Sequence, residues 1–237
     1  MLETLSPMAL PSGAGDKECL PETLLQALSK DSLHTHVPAS VGEFVAALHE
    51  STILQGDRDD RDHSGRAESD ALDELESMVS SDSAFYDDAS LLEALDSLAA
   101  ALDESPPCRT HGNLSAESIR VALRGSSDWR PTVSIDSVGS AAVDVGSLLA
   151  SLLLLAVARS HAEDAPPPAE PTWPPTPLSS LSAVHGAAQS FWQHYLSSRK
   201  AAVQADDCTL LCLCVGFAGI KMLTQVMMRL PAPASVQ

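Results

Sequence analysis

The sequence predicts a mainly α-helical fold that carries one small β-hairpin. Hydrophobic residues make up 44% of the 237-residue chain but aromatic residues only 4%, so the core must be built from Leu, Ala and Val, which suit helices. Apolar residues recur at helical spacing along most of the chain. A turn-forming stretch of Gly, Ser and Asp at 124–128 separates two segments that favour strands. A chain of this length can bury a substantial core.

Four helices are predicted before the hairpin. Residues 21–30 open with Pro and Glu, which is typical of a helix start. Ser40 and Glu43 form a capping-box pattern that predicts a second helix from this point. A third helix is expected at 69–80. The fourth, at 90–103, also opens on a capping-box pattern and is ended by two consecutive prolines.

The hairpin is predicted to pair residues 118–123 with 132–135, and the second strand leads directly to Asp136. Asp144 is placed as the N-cap of a helix at 145–160. Because Leu occurs on every face of that helix, we expect it to be the central buried helix.

Two further helices are predicted in the C-terminal third, at 177–202 and 206–229. The last begins with acidic residues and ends on Arg229, as the helix dipole favours. Lys221 interrupts its apolar run, which argues against a membrane span.

We expect residues 1–237 to form one domain. Residues at about 55–68 carry mixed charges without apolar residues, and residues at about 163–177 are rich in proline. Both compositions predict flexible linkers. Residues 231–237 are expected to form a disordered tail.

Charge and cysteine content limit the classes of partner. The net charge is −18, from 32 acidic and 14 basic residues, which argues against nucleic acid or an anionic membrane as the partner. The odd number of cysteines, 5, and the lack of a signal-peptide pattern predict a cytoplasmic protein. Cys208 and Cys212 lack a usual zinc spacing and are predicted to be small core side chains. His34 and His36 could bind a metal as a pair, but a solvent-facing pair is the simpler interpretation.

The most informative stretch combines four features in order. Residues 111–114 read His-Gly-Asn-Leu, the hairpin follows, Asp136 ends it, and Asp144 opens the Leu-rich helix. This order resembles the catalytic core of the aminoglycoside phosphotransferase and choline kinase superfamily, and within it the methylthioribose kinase family. The match extends to Ser118-Ile119 at the end of the loop and to residues 216–222, Gly-Phe-Ala-Gly-Ile-Lys-Met. Weaker matches lie at 1–6 and 41–46, and together they cover only the C-terminal lobe of such a kinase.

The resemblance implies the C-terminal lobe of a protein-kinase-like fold. It also implies ATP and Mg²⁺ as cofactors, and phosphorylation of the 1-hydroxyl of 5-methylthioribose in methionine salvage. On this resemblance Asn113 stands at the position of the catalytic Asp, beside His111. Ser118 is implied to be cofactor-binding and Asp136 to be the metal ligand.

Several positions depart from the family pattern. Asn113 cannot take a proton at neutral pH. Val138 replaces the second metal carboxylate, and Thr224 and Gln225 replace a basic pair that contacts the sugar. No N-terminal lobe is recognisable before the matched region. The protein is therefore expected to be a degenerate or truncated kinase that is weakly active or inactive.

Two alternatives remain open. The chain could be a non-catalytic pseudokinase lobe that binds a partner protein or a second copy of itself. It could also be a helical interaction protein in which the motif matches are accidental. Under either alternative His111 braces its loop by hydrogen bonding, and Asp136 makes a structural polar contact.

Overall fold

The structure is a computed structural model that describes residues 21–29, 36–53, 71–77, 89–124, 128–164, 181–199 and 207–229. Its helices are α1 (Leu24–Ser29), α2 (His36–Thr52), α3 (71–77), α4 (Ala89–Glu104), α5 (Ala141–Asp164), α6 (Leu181–Ser198) and α7 (Asp207–Arg229). Its strands are β1 (Glu22–Thr23), β2 (Pro107–Thr110), β3 (Arg120–Arg124), β4 (Asp128–Thr132) and β5 (Ser137–Ser140). The predicted class, mainly α with a small antiparallel sheet, is confirmed.

Several predictions fall outside the described residues. They are the linker at 55–68, most of the linker at 163–177, the tail at 231–237, His34 and the weak match at 1–6.

The strands form two small antiparallel sheets, one in the order β1-β3-β4 and the other pairing β2 with β5. The predicted hairpin is present as β3 and β4, but its second strand is Asp128–Thr132 and not 132–135. Pairing begins with Arg124 and Asp128, the strand ends that are nearest in sequence, and the register follows from this pair. Pro131 can lie in β4 because this is an edge strand, where a missing N–H breaks no ladder bond.

The β2–β5 sheet was not predicted. It pairs Pro107 with Ser140 at one end and Thr110 with Ser137 at the other. Pro, Ser and Gly are poor strand formers, so nothing local indicates these strands. They form because α5 begins directly after β5 and brings that strand back alongside β2.

Helices α1 and α2 are among those that begin at other residues than predicted. The N–H of Gln26 donates to the hydroxyl of Thr23, and the N–H of Thr23 donates to the side-chain carbonyl of Gln26. This reciprocal capping box starts α1 at Leu24 and not at residue 21. Helix α2 starts at His36, so the predicted cap Ser40 lies inside it. Pro38 is compatible with this because it falls in the first turn, where no intrahelical N–H bond is required.

Buried side chains from all seven described helices and from the loop after β2 form one hydrophobic cluster. Helix α2 packs on α6, and α5 packs on α7. Gly42 on α2 is a point of close approach, because a Cβ there would lie 2.4 Å from the carbonyl oxygen of Phe191 on α6. Helix α5 is buried over residues 142–148. The prediction that it is buried on all faces is wrong farther along, where Leu153 is 47% exposed.

Helix α7 is the one described helix that is long and apolar enough to cross a membrane, and 39% of its apolar window is buried. Its buried positions include Leu210, Leu213, Phe217 and Ile220, a helical spacing that is typical of a core helix. Lys221 lies with its ammonium 5.7 Å from the centroid of the Phe217 ring, and partial burial lowers the pKa of its ammonium group, opposed by the charge of Glu74.

The cysteines divide between core and surface. Cys108 and Cys214 are buried, as expected for small core side chains. Cys208 and Cys212 are exposed, so the prediction that they belong to the core is wrong. They lie on the outward side of α7, which the helical spacing of the two residues could not distinguish from the inward side.

Candidate functional site

At one end of the β2–β5 ladder, the predicted loop and the predicted metal ligand lie side by side. Thr110 ends β2 and pairs with Ser137, which begins β5. The residues just beyond this last pair are His111 on one side and Asp136 on the other. The hydroxyl of Ser137 lies 3.5 Å from the carbonyl oxygen of His111. Strand pairing therefore places Asp136 beside the start of the His-Gly-Asn loop.

Asp144 holds this loop in place. One of its carboxylate oxygens accepts the backbone N–H of His111 at 2.9 Å, and the other accepts that of Gly112 at 2.9 Å. Gly112 has a φ of 80°, in the left-handed region that glycine adopts without strain. The carboxylate is 1% exposed, and hydrogen bonds to a buried charged acceptor are among the stronger kinds in proteins.

The prediction that Asp144 is an N-cap is wrong. Helix α5 begins at Ala141, so Asp144 lies in its first turn and its side chain is directed to another segment. The hydroxyl of Ser140 caps the helix, because it accepts the N–H of Ala142. Asp144 is thereby free to bind the loop after β2.

Two residues that the sequence interpretation missed complete this buried network. Nε2 of His49 lies 3.3 Å from the carboxylate of Asp144, and Nδ1 lies 3.1 Å from the hydroxyl of Tyr195. His49 and Tyr195 are 3% and 0% exposed. Burial is the main cause that raises the pKa of Tyr195 well above its ordinary value, so the phenol stays a neutral O–H donor. The sequence feature that could have predicted a buried His49 is its position one turn after Val45, on the buried stripe of α2.

His111 and Asn113 differ in exposure and in partners. Nδ1 of His111 accepts the backbone N–H of Asn113 at 3.2 Å, so the ring braces the turn of its own loop. Asn113 is exposed, whereas Leu114 is 1% exposed and anchors the loop in the core. The Asn113 side chain is therefore accessible to a ligand at this edge, while the residues on either side of it are fixed.

Ser118 makes local contacts. Its hydroxyl accepts the N–H of Ser115 at 2.9 Å and donates to the carbonyl oxygen of Ser115 at 3.0 Å. The N–H of the intervening Ala116 donates to Ser151 on α5. These bonds close the turn that leads from the loop into β3. A role in cofactor binding stays a prediction for Ser118.

Asp136 is exposed and lies in the irregular segment between β4 and β5. Within the described ranges, no group of three or more His, Cys, Asp or Glu side chains is arranged to hold a metal ion. A role for Asp136 as a metal ligand stays a prediction. Mg²⁺ usually takes one or two protein carboxylates and completes its shell with phosphates and water. Val138, at the position of the family's second carboxylate, pairs with Arg109 across the sheet.

The two residues that replace the basic pair of the resembled family differ in exposure. Thr224 is 5% exposed and belongs to the core side of α7, whereas Gln225 is exposed. A buried threonine cannot contact a ligand in solution.

Comparison with known proteins gives structural neighbours only. No protein-family model matches the chain, and no curated protein matches it. Three solved structures of glucosamine kinase align with 88% of the chain. Crystal form A has a TM-score of 0.47, 18% identity and 54% of its own length covered. Crystal form B has a TM-score of 0.48, 20% identity and 52% covered. The complex with glucosamine, ADP and inorganic phosphate has a TM-score of 0.46, 18% identity and 55% covered.

The chain thus spans about half the length of these structures. They are kinases of a sugar. Methylthioribose kinase in particular is not supported by these comparisons.

Proposed function

We propose that the chain is a lobe of a sugar-kinase-like phosphotransferase and that its catalysis is weakened by the residue at position 113. The observation that carries the proposal is the pair of 2.9 Å hydrogen bonds from the His111 and Gly112 backbone to Asp144. They hold an accessible Asn113 at the same sheet edge as Asp136. Phosphoryl transfer depends mainly on such positioning and on charge neutralisation.

Asn113 and Asp136 determine which parts of phosphate transfer the chain could perform. Asn113 can accept a hydrogen bond from an acceptor hydroxyl and orient it, but its amide cannot take the proton. Loss of a general base typically costs about 10²–10⁴-fold in rate. Asp136 would hold Mg²⁺, which would bridge the phosphates of ATP and neutralise their charge.

Two sugars are candidate acceptors. The sequence resemblance implies 5-methylthioribose, and glucosamine is the sugar bound in one of the aligned structures. Both sugars carry hydroxyl groups, so Asn113 alone would not distinguish between them.

The test is phosphate transfer from Mg-ATP to each sugar by the purified chain and by Asn113→Asp. The variant supplies a carboxylate at an exposed position that needs no repacking, so we expect its rate to rise by about 10²-fold or more. Asp136→Asn in that background should abolish the gain. Glu117→Gln, an exposed change in the same loop, is the matched control and should leave the rate unchanged.

Binding gives a second readout that does not depend on turnover. Mg-ATP at about 100 times its Kd should stabilise the fold by about 2.7 kcal/mol. If Mg-ATP gives no stabilisation and Asn113→Asp gives no transfer to either sugar, the phosphotransferase proposal is wrong.

A second candidate function, a non-catalytic interaction lobe, is favoured by exposed apolar side chains on α7. Leu211, Val215 and Val226 are exposed and share one face of this helix by their spacing. Apolar patches of this kind often mark interaction sites. Self-association of the purified chain that is lost in Val215→Glu would support this function.

A further inference from the structure

A cleft lies at the end of the β2–β5 sheet that is farther from the His-Gly-Asn loop. It is partly open to solvent and is walled by α2, β2, the start of α5, the end of α6 and α7. Cys108 and Ser140, near the Pro107–Ser140 end of the ladder, form part of its floor. None of the residues assigned above to phosphate transfer lines it, so it is a separate site.

Arg199 brings a positive charge into this cleft. Its side chain is 11% exposed, and its Nη1 nitrogen is buried without a hydrogen-bond partner. Within the part of the chain that the structure describes, it pairs with Asp207, at 3.6 Å between Nη1 and Oδ1, and the Asp207 side chain is 53% exposed. A buried guanidinium N–H without an acceptor is costly, and a planar anion that accepts from it would remove that cost.

The walls of the cleft restrict the ligand further. Ile53, Leu210 and Leu213 offer an apolar surface, which suits a compact hydrophobic body. Glu50 also lines the cleft and Asp207 lies beside Arg199. These two carboxylates would repel a dianion more strongly than a monoanion.

We propose that this cleft binds a small monocarboxylic acid with a compact apolar body. Its carboxylate pairs with the guanidinium of Arg199, because a carboxylate matches the planar fork of that group. Its apolar body lies against Leu210 and Leu213. The site adjoins His49 and Tyr195, which also line the cleft, so a bound ligand contacts the network that holds the catalytic loop.

Benzoate is the probe, and benzamide, which has nearly the same shape without the charge, is the matched control ligand. Isothermal titration of the full chain should show saturable binding of benzoate and at least about tenfold weaker binding of benzamide, a difference of about 1.4 kcal/mol. Arg199→Gln should weaken benzoate by about tenfold or more. Arg120→Gln removes an exposed arginine on β3 and should leave its affinity unchanged.

An NMR titration of the unmodified chain keeps the test decisive even if Arg199→Gln does not fold. Benzoate should shift the backbone amides of Cys108, Ala141 and Leu210, which line the cleft. No saturable binding, equal binding of benzoate and benzamide, or shifts centred on Asn113 and Asp136 would each overturn the proposal. Because the Asn113 and Asp136 variants lie outside the cleft, its failure is distinguishable from failure of the phosphotransferase proposal.

Discussion

Asp144 is the residue on which the geometry of the candidate site depends. Its carboxylate accepts two backbone N–H groups of the loop and lies 3.3 Å from His49. Asp144, Gly112 and His49 are buried and His111 is half-buried, so most of these groups rely on a protein partner and not on water. From the sequence alone, Asp144 would be expected only to cap a helix. Its position in the first turn of α5, facing the end of β2, turns it into the support of the loop.

Asp144→Asn should destabilise the fold by about 3–5 kcal/mol. The amide keeps the shape but offers one acceptor oxygen instead of two, and its NH₂ group would face one of the loop N–H donors. Urea denaturation monitored by circular dichroism measures the loss. Asp136→Asn is the control at an exposed aspartate and should change stability by less than about 0.5 kcal/mol. A loss below about 1 kcal/mol for Asp144→Asn would mean that the carboxylate does not support the loop.

At the scale of elements, the contact between α2 and α6 positions His49 and Tyr195. Gly42 allows this approach, since a Cβ at that point would lie 2.4 Å from the carbonyl oxygen of Phe191 and 3.0 Å from the backbone nitrogen of Tyr195. Both neighbouring atoms belong to the backbone of α6 and cannot rotate away. The two helices would have to separate to accommodate a methyl group.

Gly42→Ala should therefore destabilise the fold by about 1–3 kcal/mol or more, because added volume in a packed contact is costly. Gly186→Ala, on α6, is the matched control: a Cβ there meets nothing within 4 Å. Alanine is the better helix former, so this change should stabilise by about 0.5–1 kcal/mol. Chemical denaturation measures the free energy of unfolding of both variants, which should fall for Gly42→Ala and rise for Gly186→Ala. Equal changes in the two variants would contradict the close approach of α2 and α6 at Gly42.

At the scale of the whole molecule, the core holds groups that resist ionisation. Burial raises the pKa of the Cys214 thiol from 9.0 to about 12, opposed by Arg199. Burial likewise raises the pKa of Tyr195. A group with a raised pKa in the folded state contributes its full stability below its unfolded pKa. It loses that stability as the pH rises towards the folded value, because only the unfolded chain releases the proton.

We expect stability to fall as the pH rises above about 9, where Cys214 ionises in the unfolded chain, and more steeply above about 10, where Tyr195 does so as well. Each group contributes up to about 1.4 kcal/mol per pH unit once the pH exceeds its unfolded pKa. Urea denaturation under reducing conditions at pH 8, 9 and 10 measures the slope. Cys214→Ala should make the decline less steep, whereas Cys212→Ala, at an exposed position on the same helix, should not change it. The same slope in both variants would rule out Cys214 as a source of the decline.

The local elements were predictable because their causes are local. Apolar spacing predicted the helices near 90–104 and 207–229, and the turn residues at 124–128 predicted the hairpin. The kinase-like order of motifs pointed to residues 111–113 and Asp136, and these do lie at one sheet edge. Methylthioribose as the substrate and loss of activity stay predictions.

Local sequence patterns could not predict the contacts between distant segments. His49 and Tyr195 are 146 residues apart in the chain, and Asp144 is 32 residues from Gly112. The β2–β5 pairing joins residues of low strand propensity. Such contacts form because packing α2 on α6 and α5 on α7 excludes water from polar groups. Those groups must then find partners within the fold, and no local spacing specifies which partner they find.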